Sequence, residues 1–190
     1  MSAVDILKNL PTLETKRLTL RKLCMEDAAD MYEYACDPEI ASFGLWLPFH
    51  SIEDSKKDLA EVIEGYNKGE IFVWAMELKT ERKMIGRIGL GDYSFRNARA
   101  EVGYASNRKY WGKGLMTEAV KQIIDFSFAK LGMNRISAVC LPDNVASIRI
   151  LEKVGMQLEG VKREYTFIRG KFDDLNLYSI LKKEWQSAKK

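Results

Sequence analysis

The sequence predicts a mixed α/β (α+β) fold: one sheet of about seven mostly antiparallel strands, flanked by about four helices. Three observations carry that expectation. Strand-like alternation near the start gives way to helical spacing, so both periods are present. Three strand-like runs then follow one another with only polar turns between them. After these, helix and strand alternate too irregularly for a barrel or a doubly wound sheet. With 190 residues, 46% of them hydrophobic, the chain can fill one core, and a single domain over residues 1–190 is expected.

The elements follow in order. Residues 1–12 read as an N-terminal arm. Arg17-Leu18-Thr19-Leu20-Arg21 alternates polar and apolar, the pattern of a half-buried strand. From Asp27 to Cys36, Ala28, Met31, Tyr32 and Ala35 share a helical face, and Asp37-Pro38 ends it. Ser51-Ile52-Glu53-Asp54 is a capping box that opens a second helix to about Tyr66, before Lys68-Gly69. Ile71 to Leu78 is rich in β-formers, Lys79 to Arg82 is a polar turn, and Met84 to Leu90 returns as a glycine-punctuated strand. Ala98 to Ser106 is the next strand. From Gly114 to Leu131, Leu115, Met116, Ala119, Val120, Ile123, Ile124 and Ser127 form a broad apolar helical face, with Gly132 as its C-cap. Arg135 to Leu141 is a buried strand, and Asn144 caps a helix through Val154, ended by Gly155. Two last strands, Gln157–Ile168 and Phe172–Ile180, flank the turn Arg169-Gly170-Lys171.

Composition excludes several classes. The longest uncharged stretches, such as Ile40 to Ile52, carry Gly, Pro, Ser and His, so no membrane helix is expected. Asp5 sits where a signal peptide would begin its apolar region, which points to a cytoplasmic protein. Three scattered cysteines make no disulfide framework. One histidine, His50, disfavours a His/Cys zinc site, and no G-x-S-x-G accompanies it. No metal is expected. Net charge is only +3. One stretch, Arg96 to Lys113, sets Arg96, Arg99, Arg108, Lys109 and Lys113 against Glu101 alone. That balance suits a phosphate-bearing ligand, although charge alone favours a solvated face, and no nucleic-acid motif goes with it.

The most informative segment is Lys109-Tyr110-Trp111-Gly112-Lys113-Gly114-Leu115-Met116-Thr117-Glu118. It joins a strand to a long helix, with both glycines at the helix entrance. Unpaired N–H groups and the helix dipole make such an entrance attractive to anions, and glycine lets a phosphate approach the backbone. A Walker A loop ending at Lys113 would need glycine at Asn107 and a hydroxyl at Gly114; a dinucleotide G-x-G-x-x-G would need glycine at Thr117. Gly86 to Gly91 has the reversed spacing and leads into a strand. Neither nucleotide motif fits.

A second segment, Asn144-Val145-Ala146-Ser147 through Gly155-Met156, follows one helix and one strand later. Together the two segments resemble the GNAT superfamily of N-acetyltransferases, whose acetyl-CoA loop is Q/R-x-x-G-x-G/A; here Lys109 takes the Q/R position. The start (Leu13 to Arg21), Tyr110-Trp111, Asn-x-x-Ser and the end (Glu159-Gly160 through Lys171, Leu177-Tyr178-Ser179) look like the RimJ/RimL-like ribosomal-protein N-terminal acetyltransferases. The resemblance runs from about Leu13 to Trp185.

The resemblance implies a sheet splayed between its fourth and fifth strands, with acetyl-CoA in the wedge. The diphosphate would rest on the backbone of Trp111, Gly112, Lys113, Gly114 and Leu115, with Thr117 as a hydroxyl donor. The pantetheine arm would pair with Tyr104, Ala105 and Ser106, and Asn144 would be both N-cap and cofactor contact. Acetyl would pass directly to an amine through a tetrahedral intermediate held by the N–H of Tyr104 or Ala105. The tyrosine many members use falls here at Leu151, and the glutamate that serves as base in some alanine-specific members falls at Val139. The ribosomal-protein subgroup instead looks to the serine of Asn-x-x-Ser, which makes Ser147 the proton-donor candidate. Glu101 resembles the strand-borne glutamate of other members and is the base candidate, Glu164 is its runner-up, and Cys140 reads as core. Trp46, Phe49, His50, Tyr93, Phe95 and Tyr165 are candidates for the acceptor groove. The acceptor would be a primary amine, foremost a ribosomal-protein N-terminus. A small-molecule amine and a silent CoA-binding module are the alternatives. The family's C-terminal strands often pair between subunits, so the resemblance also implies a homodimer.

Overall fold

The computed structural model describes residues 3–44 and 46–188; residues 1 and 2 of the expected arm lie outside them. The strands are β1 (Leu13–Glu14), β2 (Leu18–Arg21), β3 (Phe72–Leu78), β4 (Lys83–Ser94), β5 (Arg99–Ser106), β6 (Arg135–Cys140), β7 (Gln157–Ile168) and β8 (Lys171–Leu181). They form one sheet in the order β1-β2-β3-β4-β5-β6-β8-β7. Every neighbouring pair is antiparallel except β5–β6. The eighth strand is β1, two residues long and too short to leave a period in the sequence.

The four expected helices are α2 (Ala28–Ala35), α4 (Ile52–Lys68), α5 (Leu115–Ala129) and α6 (Val145–Lys153). Three short ones join them: α1 (Ala3–Lys8), α3 (Pro38–Phe43) and α7 (Lys182–Ser187). Much of the segment expected as an arm is thus α1, and Ile6, Leu7 and Leu10 in and beyond it are buried. A six-residue helix is unstable alone and forms only by docking its apolar side, so little local signal marks it. Asp37-Pro38 stops α2 but also starts α3: the Asp37 carboxylate accepts from the Glu39 N–H at 2.9 Å, with proline in the first turn. Ser51 caps α4 as expected, and Gly69 ends it at φ +66°. Helix α5 stops at Ala129 with Lys130 as C-cap, so Gly132 belongs to the following turn rather than to the cap itself.

The sheet is covered on both faces. Arg87 of β4 pairs with Asp58 of α4 at 2.6 Å on one side. On the other, Trp74 of β3, opposite Ile88, meets Phe126 of α5 edge-on at 5.8 Å. Trp74 is fully buried, and its indole N–H donates to the Pro11 carbonyl at 2.8 Å.

The site depends on how β5 meets β6. Only Arg99, Ala100 and Glu101 of β5 pair with β6, opposite Arg135, Ile136 and Ser137. Beyond them β5 stays with β4 as far as Ser106, while β6 stays with β8 as far as Cys140. The sheet splits there, as the resemblance implied. The Asn107 N–H donates to the Ile85 carbonyl at 2.8 Å, which fixes the phase of the β4–β5 ladder. By alternation, Gly103 and Ala105 turn their main-chain groups to β4, and Tyr104 and Ser106 turn theirs into the split.

Candidate active site

The split opens into a cavity of about 400 Å³. Tyr104, Ala105 and Ser106 line one wall; Trp111, Gly112, Gly114, Leu115 and Thr117 line the next; Asn144 and Ser147 close the third. Of the two amides proposed for the oxyanion, ladder phase directs only that of Tyr104 into the split.

Gly112 and Gly114 take φ +72° and +73°, left-handed values that glycine adopts without strain. Gly114 is the N-cap of α5 and brings no side chain to satisfy the first amides, which are left open as anion donors. The Trp111 indole N–H donates to the Ser106 carbonyl at 3.0 Å, tying the loop to β5. The loop's two lysines do not line the cavity. Lys109 is bound to Glu33 of α2, and Lys113 lies 5.0 Å over the Tyr110 ring. The cations that do line it are Arg149 and Lys153 of α6. They share a face with Ala146 and Ile150 at spacings of three and four. That spacing, on a helix capped beside the glycine loop, is the signal that could have found them.

At the base of the cavity the Tyr104 and Ser147 hydroxyls stand 2.8 Å apart. The Ser147 N–H donates to the Asn144 side-chain oxygen at 3.0 Å, so the cap also fixes the serine. Ser147 is buried. Burial pushes the Tyr104 phenol above its usual range, while its bond to Ser147 opposes this, so it stays protonated at neutral pH. Tyr104 appeared in the sequence only as backbone; its hydroxyl, 43 residues from Ser147, left no signal. The Cys140 thiol is also raised by burial and is buried with the core.

The two carboxylates lie apart from the hydroxyl pair. Glu101 is half-buried and sits on the other face of β5, opposite Gly91 and one alternation from Gly103. A side chain at either glycine would meet nothing within 4 Å, so open space lies beside Glu101. Burial raises its carboxyl; Lys162 counters this and Asp92 adds to it. Glu164 is exposed, at φ +47° in the bulge between Lys162 and Thr166, and its N–H donates to Asp174 at 2.7 Å. Neither carboxylate lines the cavity.

Among the aromatic candidates, Trp46 joins Ile40 and Phe43 in the cavity wall. Its indole nitrogen is buried with no hydrogen-bond partner among the described residues. Tyr93 and Phe95 instead pack on Phe72, with ring centroids 5.3 and 6.4 Å away, and Phe49 packs against the core. The His50 N–H donates to Asp54 at 2.8 Å, and Tyr165 is exposed beneath Lys162. Among the described residues no cluster of three or more His, Cys, Asp or Glu could hold a metal ion.

Comparison with known proteins decides the family. Residues 17–157 match the acetyltransferase (GNAT) domain, which is more than half the chain. The chain belongs to the GNAT acetyltransferase family. A Bacillus licheniformis protein described as an uncharacterized N-acetyltransferase, p20, is 36% identical over 93% of this chain and 99% of its own. A GNAT acetyltransferase structure from Bacillus anthracis superposes with a TM-score of 0.82 at 26% identity, covering 92% of this chain and all of that one. The ribosomal-protein-S5-alanine acetyltransferase of Vibrio fischeri gives 0.76 at 27% identity, covering 92% and 98%. This GNAT protein is by class an N-acetyltransferase, and the split sheet, glycine loop and capped α6 all fall within its matched segment.

Proposed function

We propose that this GNAT acetyltransferase takes acetyl from acetyl-CoA and passes it to the α-amino group of a protein N-terminus, a ribosomal protein's in particular. The observation that carries the donor is the split itself: a cavity between two strands with a helix that has glycine as its N-cap at one end and a hydroxyl pair at its base. The likeness to the S5-alanine acetyltransferase supports the acceptor. The acetyltransferase domain is taken to span residues 1–190.

In this proposal the diphosphate lies on the amides of Gly112 to Leu115 near Thr117, with Arg149 and Lys153 supplying the charge that Lys109 and Lys113 spend elsewhere. The Tyr104 carbonyl and the Ser106 main-chain N–H, turned into the split, pair with the pantetheine arm. The acceptor nitrogen attacks the thioester carbon; a C–N bond forms and the C–S bond breaks. The Tyr104 N–H faces the developing oxyanion. The departing thiolate takes a proton from the Tyr104–Ser147 pair, and the nitrogen loses its proton toward Glu101 through water in the open space beside Gly91 and Gly103. An α-amino group titrates near about 8, so a weak base suffices. The edge strand β7 exposes Leu158, Val161, Tyr165 and Phe167, the surface by which two copies would pair.

The test is calorimetric titration with acetyl-CoA of the protein and of Gly112→Glu, followed by turnover on peptides with free or blocked N-terminal alanine or serine. One donor bound per chain, lost in the variant, with turnover only on the free amine, is expected. A wild type that binds no acetyl-CoA overturns the donor; binding without turnover on any amine leaves a silent CoA-binding module.

A further inference from the structure

Arg17 lies just before β2, far in sequence from the glycine loop, and does not line the cavity. Three of its N–H groups nevertheless reach the loop and the first turn of α5. Its main-chain N–H donates to Glu118 Oε1 at 2.8 Å, Nε to Glu118 Oε2 at 2.7 Å, and Nη1 to the Lys113 carbonyl at 2.8 Å.

The third bond sets the direction of a peptide plane. In a trans peptide the carbonyl of Lys113 and the N–H of Gly114 point in opposite directions. Lys113 is flanked by glycines at positive φ, and glycine accepts φ of either sign, so the loop alone does not choose which way this peptide faces. Holding the Lys113 carbonyl outward on Arg17 turns the Gly114 N–H away from Arg17, on a residue that lines the cavity. The flipped peptide would instead aim the negative end of a carbonyl dipole at an anion.

The other two bonds deal with a charge. Glu118 suits the first turn of α5, where the helix dipole favours an acid, but a free carboxylate there would repel a phosphate. Burial alone would raise its carboxyl; hydrogen bonds from Thr15 and Arg17 hold it below its usual range, so it is ionised and matched by the guanidinium.

We propose that Arg17 is a positioning residue for the phosphate-bearing donor. It orients the Gly114 N–H toward the diphosphate and neutralises Glu118 beside it. The proposal rests on the acetyl-CoA reading above. Its test compares acetyl-CoA with S-acetylpantetheine, which carries the same thioester arm and no diphosphate, in Arg17→Ala and Arg17→Lys. Lysine keeps the charge but lacks the fork that meets Glu118 and the Lys113 carbonyl together.

Calorimetry with acetyl-CoA is expected to show affinity about tenfold weaker in Arg17→Ala and nearly as weak in Arg17→Lys. The turnover number at saturating acetyl-CoA stays within about twofold, and so does kcat/KM with S-acetylpantetheine. Should Arg17→Ala fail to fold by thermal melt, Arg17→Lys decides alone. Unchanged affinity for acetyl-CoA in a folded variant overturns the proposal, as does an equal loss with both donors. A wild type that binds no acetyl-CoA overturns the donor reading and this proposal with it.

Discussion

Replacing Ser147 with alanine removes the hydroxyl that stands 2.8 Å from the Tyr104 phenol while leaving the backbone N–H bond to Asn144, so the α6 cap survives. The stability cost is then one neutral hydrogen bond, about 1 kcal/mol, or roughly 2–4 °C in melting temperature for a chain of this size. The activity cost is much larger if the pair supplies the thiolate's proton. A positioned acid contributes about a hundredfold or more to the turnover number, and a hundredfold is about 2.7 kcal/mol of barrier. Tyr104→Phe keeps the ring in the cavity wall and removes the other hydroxyl. Because both act on one proton, the double variant is expected to be no slower than the slower single one. Burial holds the Tyr104 phenol above its usual range, so activity should rise as the acceptor amine deprotonates near about 8 and show no fall by pH 10. The assay is thiol release with acetyl-CoA and a peptide acceptor, read as kcat and as KM for the donor across pH. Turnover within about threefold of wild type in both single variants would refute the proton-donor role.

Two further outcomes follow from packing and charge. A Cβ on Gly86 would stand 2.4 Å from the Ala105 carbonyl oxygen and 2.7 Å from the Ser106 Cα, both backbone, so Gly86→Ala must push β4 and β5 apart beside the cavity. It is expected to cost about 1–3 kcal/mol, or roughly 2–12 °C by differential scanning calorimetry; a wild-type melt would contradict the close approach. The Glu33 carboxyl is held at about 2, first by Lys109 and then by Lys83. A carboxyl lowered on folding stabilises the fold above its ordinary value of 4.5, and that contribution is lost as pH falls from there toward 2. Glu33→Gln should therefore lower the melting temperature at pH 7 and leave it little changed at pH 2; equal shifts at both would exclude this linkage.

What the sequence made legible was local. The box at Ser51, the glycine at 69 and the cap at Asn144 each act within one helical turn, and all three stand where the residues put them. The short helix α1 escaped because its stability comes from docking, with Ile6 and Leu7 buried, and α3 because the Asp37-Pro38 signal that starts it also reads as the stop of α2. Within the site, the glycine entrance could be found because its conformation depends on its own residues. The direction of side chains around it could not. Lys109 and Lys113 looked like phosphate ligands by proximity, yet Glu33 and the Tyr110 ring hold them elsewhere. Glu101 and Tyr104 lie three residues apart on β5, and strand alternation sends them to opposite faces.

The β5–β6 seam has a kinetic meaning as well. Strands β3, β4 and β5 pair through successive tight turns, whereas β2 reaches β3 only across the three helices between Arg21 and Phe72. Strand β6 reaches β5 through the crossover that carries α5, and three residue pairs reward that closure. The entropy of closing that crossover is met by only a short seam, so the join is expected to form later than the tight turns between β3, β4 and β5. The opening that holds the cavity is thus also the most thinly paired long-range join of the sheet among the described residues.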